Sequence, residues 1–571
     1  MGNMLSPGVQ ITERDLSLYT PAVSSSIGAF VGQASRGPVY QKTLVTNERE
    51  LVELFGEPTD DNYKDFFTAA SFLSYTNTLY FTRVVSKSTA KNAMLVVEGS
   101  STPLSATSTP LSGAGAYLEF HNENEIFGAS GTEFTPAIAG ATSLEFYSKY
   151  PGAYTTEDVK IVIINKATYD NLANETSLSG YSNVIEDSLD SNDEFYIFVL
   201  ALDQGVTPST YVLTEKFKVS TTSTKLDNSG NSMYVETVIN RSSKYLIVYH
   251  TSSASYLSPK SCVPTLMTSG SDGSAITSSQ IMLGWDLYAN KEEIEVDILI
   301  GGPNTAVTEA NYILALALSR MDCVAILDFP ESDLINVSST SQAITNMVQY
   351  RSTELNANTS YGALYGNWYL IHDKYNDKKR WIPSGGANAG VFAYNDFVSD
   401  PWFAPAGLNR GILKNVIKLA INPNEAQRDT LYKNQINPIA SFIGQGTVIW
   451  GQKTLQTKPS AFDRINVRRL FNLCERSIGK MAKYIVFEPN DAFTRRLFKN
   501  TIDPFLKDIQ SRRGLYGFLV DVSETVNTPE RVDRNEFWGE IYLSPVKAGE
   551  FVKLRFNATR TGVNFEELVG Q

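Results

Sequence analysis

Two stretches of this chain alternate continuous apolar runs with amphipathic helices, and residues of a different kind lie between them. Residues 27–85 read strand, helix, helix, strand, with Ile27–Gly32 and Leu79–Val85 as the strands. In the first helix Asn47 is the cap, Glu50 closes a capping box, Leu51, Leu54 and Phe55 form the apolar stripe, and Gly56 ends it. Phe66, Ala70 and Leu73 mark the buried face of the second. The rhythm returns with Ile294–Gly301, Thr308–Arg320, Cys323–Asp328, Ser338–Arg351 and Trp368–Ile371, in the order strand, helix, strand, helix, strand. Strands that are apolar without alternation must be covered on both faces, which predicts a parallel sheet between two helical layers. The expectation is therefore a mixed α/β chain with one discontinuous α/β core, in two parts at 21–90 and 276–400.

What interrupts the core reads as β structure. Ser100–Gly115 is rich in Ser, Thr, Pro and Gly, and Leu95–Glu98 and Tyr117–Phe120 are the extended pieces beside it, so 91–148 is expected to be a small β insertion. From Lys149 onward Val159–Ile164, Phe195–Ala201, Tyr211–Val219, Met233–Ile239 and Tyr245–Tyr249 predict a second, antiparallel β domain at 149–275. Thr251–Ser279 then reads as a linker or surface loop.

The C-terminal part, 401–550, carries a helix at Arg464–Lys483. Val467, Leu470, Phe471, Cys474, Ile478 and Met481 form its apolar stripe, and its other face is basic. Asn490 is placed as the cap of a second helix, with Asp491 in its first turn and Phe493, Leu497 and Ile502 along it; Pro504 is expected to kink or interrupt it. Both chain ends, 1–20 and 551–571, look like arms. Val9 and Ile11 alternate with polar neighbours, as do Val552, Leu554 and Phe556, so each end offers a short strand with one apolar face.

Composition excludes several classes. A net charge of −12 disfavours direct contact with nucleic acid. No segment reaches the roughly 18 apolar residues that a membrane helix requires, so no membrane insertion is expected. Three widely spaced cysteines and no basic-then-apolar leader point to synthesis in a reducing cytosol. No Cys or His cluster has zinc spacing, and Glu186–Asp193 lacks the ligand spacing of a calcium loop, so neither metal nor cofactor is expected. His372 beside Asp373 is the nearest approach to a catalytic pair, but no Gly-x-Ser-x-Gly elbow accompanies it and Lys374, Lys378, Lys379 and Arg380 crowd its loop. No catalytic residue is assigned.

Several dense phrases resemble a known family. Val448, Trp450, Gly451, Gln452, Lys453 and Thr454, then Asn466–Phe471, Val486–Asp491 and Val526–Glu530, stand in the order found in the C-terminal domain of contractile tail sheath proteins of the myovirus-like kind. Ser6–Val9 with Thr12 and Glu13, and Phe30–Pro38, resemble that family's N-terminal arm and first core strand and turn. The resemblance implies a subtilisin-like α/β topology for the core, without proteolysis, and a virion structural protein in the tail sheath, assembled in the host cytoplasm. Its subunits would form hexameric rings stacked around a tail tube and contract to drive the tube through the host envelope. Partners so implied are further copies of the chain, the tube protein, the baseplate and a tail terminator. The two arms would join a neighbour's C-terminal domain, and Arg495, Arg496 and Lys499 are the basic residues expected to face the tube. A bacteriocin or injection-system sheath is the near alternative, and a subtilisin-like hydrolase the alternative of another class.

Overall fold

The structure, a computed structural model, describes residues 26–100, 118–122, 125–128, 143–153, 159–203, 210–250, 258–303, 306–551 and 553. The described residues form two compact units: a larger one within 26–398 together with 405–459, and a smaller one with 399–404 and the described residues from 460 onward.

An eight-stranded sheet organises the larger unit. Six parallel strands run in the order Leu79–Arg83, Gly28–Gly32, Ile298–Ile300, Val324–Leu327, Gly362–Gly366 and Ile436–Phe442, and antiparallel strands Thr43–Val45 and Gly446–Ile449 close its two edges. Every residue of Gly28–Gly32, Ile298–Ile300 and Val324–Leu327 is buried, as continuous apolar runs require. Ala29 and Val31 pack into a core with Trp285, Ile313 and Leu314, whereas Phe30 meets Phe81 on the other face. On that second face, helices Tyr63–Leu73 and Gly385–Val398 approach closely: a Cβ on Gly386 would lie 2.1 Å from the Thr68 carbonyl oxygen. Only a residue without a side chain fits there.

Sequence and structure part company at several points. Trp368–Asp373 is a strand, but it pairs antiparallel with Lys378–Pro383 and Lys418–Leu419 in a separate three-stranded sheet. The central sheet uses Gly362–Gly366 instead, whose glycines leave room for Leu314 and Met347 to pack directly on the backbone. That strand carries no β-branched residue, so propensity conceals it. Asn47 does cap the first helix by accepting from the Glu50 amide, but the Glu50 carboxylate takes the Thr46 amide at 2.8 Å rather than closing a box on Asn47.

The β-rich part is one body. Four strands, Thr210–Ser220, Glu194–Asp203, Val159–Asn165 and Cys262–Leu266, form one sheet, and Leu246–His250, Ser143–Ser148, Met94–Ser100 and Ser258–Pro259 form another. Leu95, Val97 and Phe146 share a single apolar core with Ile161, Phe195, Val248 and Met267. The proposed division into 91–148 and 149–275 therefore cuts through a sheet and a core. Met233–Ile239, read as a strand, lies mostly in the helix Val235–Ser242, and part of the expected linker supplies the strands Ser258–Pro259 and Cys262–Leu266. Main chain enters and leaves this β domain side by side, since Lys91 and Ser271 exchange backbone hydrogen bonds of 2.9 Å.

Arg83 locks that junction. The side chain is fully buried at the end of a central strand and donates to the carbonyls of Ala34 (2.8 Å), Gly37 (3.1 Å) and Pro151 (2.9 Å) and to the Asp272 carboxylate (3.1 Å). A buried cation is tolerable only with such a full set of acceptors.

In the smaller unit, helices Ile465–Lys483 and Ala492–Ser511 pack with the two-stranded sheet Leu515–Asp521/Glu540–Pro545 around Leu470, Cys474, Phe498, Ile502, Leu506 and Val520. Residues 405–459, assigned from sequence to a C-terminal domain spanning 401–550, instead include two strands of the central sheet. The helix Ala492–Ser511 runs through Pro504.

Candidate assembly surface

The helix Ile465–Lys483 buries more than its apolar stripe. Arg468 and Arg469 are also buried, so the basic face read from the sequence does not extend to Arg468. The Arg468 guanidinium donates to Asn472 Oδ1 (2.8 Å) and to Glu475 (3.1 Å), and lies 4.7 Å from the centre of the Phe462 ring. Arg464 makes a two-pronged contact with Glu550 at 2.7 and 2.9 Å. These arginines hold the smaller unit together, and charge-assisted, ring-stacked geometry is the arrangement in which Arg contributes most to packing.

The second helix begins one residue later than expected. Asp491 is its cap, accepting from the Thr494 amide at 2.7 Å, while the Asn490 side chain donates to the Glu536 carbonyl at 2.8 Å. The cap hydrogen bond, with Arg495 nearby, holds the Asp491 carboxyl below its ordinary range. Thr494, Phe498, Ile502, Leu506 and Ile509 face inward, while Phe493 and Leu497, read from the sequence as lying along the helix with Ile502, are exposed. Of the three residues expected to face the tube, Arg496 is exposed, Arg495 is half-buried, and half-buried Lys499 donates to the Val520 carbonyl at 3.0 Å. Val9, Ile11, Val552, Leu554 and Phe556 lie outside the described residues.

The hairpin Leu515–Asp521/Glu540–Pro545 was missed by the sequence reading. Among the described residues its two strands pair with no third strand, and side chains of Lys499 and Gln510 take the Val520 and Tyr516 carbonyls on one edge. Leu515, Val520, Phe518, Ile541 and Leu543 pack toward the helices. The outer face carries Tyr516, the cross-strand pair Leu519 and Tyr542, and Trp538 just before the second strand, all exposed. Alternating patterns in Leu515–Asp521 and Glu540–Pro545 were the available signal, obscured by the bulge between Leu515 and Gly517.

The histidine–carboxylate candidate resolves into a structural clamp. Asp373 is buried and accepts from Arg380 Nε (2.7 Å), Asn376 Nδ2 (2.9 Å) and the backbone amides of Tyr375 and Asn376, and these donors hold its carboxyl below the ordinary range against the opposing effect of burial. His372 is exposed, its Nε2 3.7 Å from Asp377. At the carboxyl end of the central sheet, Asp328 accepts from Ser384 Oγ (3.0 Å) and the Gly385 amide (2.9 Å), so its role is to hold the start of the helix Gly385–Val398. Burial pushes the Asp328 carboxyl up to about 8. Among the described residues no cluster of three or more His, Cys, Asp or Glu has metal-binding geometry, and no helix is long and apolar enough to cross a membrane.

Fold and surfaces together define a two-unit α/β protein with a two-stranded sheet that pairs with no third strand among the described residues and carries exposed Tyr516, Leu519 and Tyr542. Family models agree with that class: one for the phage tail sheath protein central domain matches residues 290–455, and one for the phage tail sheath C-terminal domain matches residues 457–559. The tail sheath protein of Vibrio phage KVP40 (isolate Vibrio parahaemolyticus/Japan/Matsuzaki/1991) is 30% identical over 99% of this chain and 100% of its own. That of Enterobacteria phage T4 is 29% identical over 99% of both chains. The chain belongs to the phage tail sheath protein family, and is a structural protein of the tail. Its fold is also similar to that of the sheath tail protein Lin1278 from Listeria innocua, with a TM-score of 0.53 at 11% identity over 92% of this chain and 96% of that one.

Proposed function

We propose that this chain polymerises as hexameric rings stacked helically around a tail tube, and that contraction of the polymer drives the tube through the host envelope. The observation that carries the reading is the two-stranded sheet of the smaller unit, with two unpaired edges and an outer face of Tyr516, Leu519 and Tyr542. The hairpin is held by its packing on the helices, and strand addition from another chain would supply hydrogen bonds to the backbone groups left on its edges. Arms containing Val9 and Ile11, and Val552, Leu554 and Phe556, have the alternation such an added strand needs. Flexible connections let arm contacts persist while rigid-body contacts around them are exchanged.

Arg495, Arg496 and Lys499 face the tube in this reading, and Arg496, as the exposed member, leads the contact. Exposed charge pairs are individually weak and salt-sensitive, which suits a contact that must hold and then let go. Contraction needs no fuel: the extended polymer is a kinetically trapped packing, and its free energy is released as subunits settle into better lateral contacts. The core follows a subtilisin-like topology, the β domain lies on the outer rim, and the baseplate and a terminator bound the polymer. Assembly takes place in the host cytoplasm, and a bacteriocin or injection-system sheath is the same machine in another setting. Electron microscopy of the purified protein tests the reading: tubular polymers support it, and a persistently monomeric folded protein at high concentration contradicts it.

A further inference from the structure

The two edges of the hairpin Leu515–Asp521/Glu540–Pro545 are not equivalent. On the first strand Lys499 Nζ takes the Val520 carbonyl (3.0 Å) and Gln510 Nε2 takes the Tyr516 carbonyl (2.9 Å). Residues facing each other in an antiparallel pair either exchange both backbone hydrogen bonds or turn both away from each other. The Val520 carbonyl is bound from outside the hairpin, so the facing pairs Val520/Ile541 and Phe518/Leu543 are of the second kind, and Leu519/Tyr542 bonds across. The amides and carbonyls of Ile541 and Leu543 therefore point away from the hairpin along its second strand, and no other described residue bonds them.

The edges differ in protection as well. A strand adding to Leu515–Asp521 would meet the bulge between Leu515 and Gly517 and would have to displace Lys499 and Gln510 from the carbonyls they hold. Glu540–Pro545 carries no lysine, no bulge and no proline before its last residue. We propose that Lys499 and Gln510 close the first strand to strand addition, so that the N-terminal arm of a second copy adds along Ile541–Leu543. The proposal rests on the reading that arms complete this sheet, and adds which edge accepts one and which side chains exclude it from the other. Residues 12–25, between the alternating Val9 and Ile11 and the first described residue, reach up to about 50 Å when extended, enough to leave one subunit for the next. This copy's own C-terminal continuation is instead tied through Glu550 to Arg464, at the start of the helix Ile465–Lys483.

Disulfide trapping separates the edges. Leu519 and Tyr542 face each other on the exposed outer side of the hairpin, so a cysteine at either marks its own edge, and the native Cys262, Cys323 and Cys474 are buried. An adjacent strand brings facing Cβ atoms to about 5 Å, within disulfide reach, whereas the next strand over lies roughly 10 Å away. Val9→Cys, Gln10→Cys, Ile11→Cys and Thr12→Cys are each combined with Tyr542→Cys or with Leu519→Cys, assembled and mildly oxidised. The Tyr542→Cys set should give a covalent ladder on denaturing gels, and the Leu519→Cys set none. Adding Lys499→Met and Gln510→Met should bring up a ladder through Leu519→Cys too; its absence would remove both residues from the excluding role. A ladder through Leu519→Cys with Lys499 and Gln510 in place, or polymers with no ladder through either position, would overturn the edge assignment while leaving the sheath reading standing. A monomer band shifted by an internal disulfide would place the arm on its own hairpin and overturn it equally. Absence of polymers from the unmodified chain would overturn the sheath reading and the edge assignment with it.

Discussion

The β domain and the smaller unit each end in an outermost strand, and the two sheets differ in width and in what their outer faces carry. In the β domain the outer strand Thr210–Ser220 is broken by a bulge between Leu213 and Glu215, and Lys216 and Lys218 reach from it to the Val184 and Ser188 carbonyls and to Glu186 and Glu194. Bulges and lysines are the usual protections against further strand pairing. The smaller unit's hairpin also has a bulge, between Leu515 and Gly517, and Lys499 reaches the Val520 carbonyl, but its two strands pair with no third strand among the described residues and Leu519 and Tyr542 lie exposed on its outer face. One region is finished within its own chain, and in the proposed function the other is finished by another.

The largest effect expected from this contrast is on folding. Excising 92–270 and closing Lys91 to Ser271 through a short glycine linker should leave the central sheet folded, because those residues are already hydrogen-bonded neighbours. Removing only 91–148 should fail, since it takes Met94–Ser100 and Ser143–Ser148 out of a shared sheet and core. Soluble yield and the cooperativity of thermal unfolding distinguish the two deletions. Equal behaviour would show that the β domain is not one body.

Point substitutions sharpen the comparison. Phe146→Ala in the β domain core should cost about 3–5 kcal/mol of stability in denaturant unfolding. Leu519→Lys on the hairpin's outer face should change subunit stability by less than ~0.5 kcal/mol and yet abolish polymerisation, as judged by sedimentation. A comparable loss of stability in both would remove the distinction between finished and unfinished regions.

A smaller effect is expected from pH on the larger unit. The folded Asp328 carboxyl titrates near 8, above its unfolded value, so its contribution is fully present below about pH 4 and is lost as pH rises through 8. Asp65, buried under Gly32 and raised by burial to about 7, adds a slope of the same sign. Asp328→Asn should flatten the fall in unfolding free energy between pH 5 and 8, and an unchanged slope would rule Asp328 out as its source. The smallest effect on the fold is that of Arg496→Glu, which should leave thermal unfolding within about 0.5 kcal/mol of the parent while weakening cosedimentation with tail tubes at moderate salt.

The parts legible in the sequence were those in which pattern and burial coincide. Gly28–Gly32 and Val324–Leu327 are apolar because both faces are covered, and the apolar stripe of Ile465–Lys483 was readable as far as it ran. Arg468 was misplaced because stacking on Phe462 and the partner Asn472 let a cation occupy a buried position that periodicity assigns to solvent. Gly362–Gly366 was hidden because its contribution is the absence of side chains where Leu314 and Met347 need space. The split of the β domain was drawn at Lys149–Gly152, but strand pairing across long sequence separations ignores such boundaries. At the candidate assembly surface, apolar residues occur on both sides of the helix Ala492–Ser511, and packing buries the side with Phe498, Ile502 and Leu506 while Phe493 and Leu497 stay exposed, a choice periodicity alone does not make.

Removing residues 1–18 tests most directly whether the smaller unit's sheet is completed by another subunit's arm. The truncated protein should remain folded and soluble, as a monomer or small oligomer, and electron microscopy should find no long sheaths under conditions in which the full chain forms them. Full-length, contraction-competent tubes from the truncated chain would contradict the account.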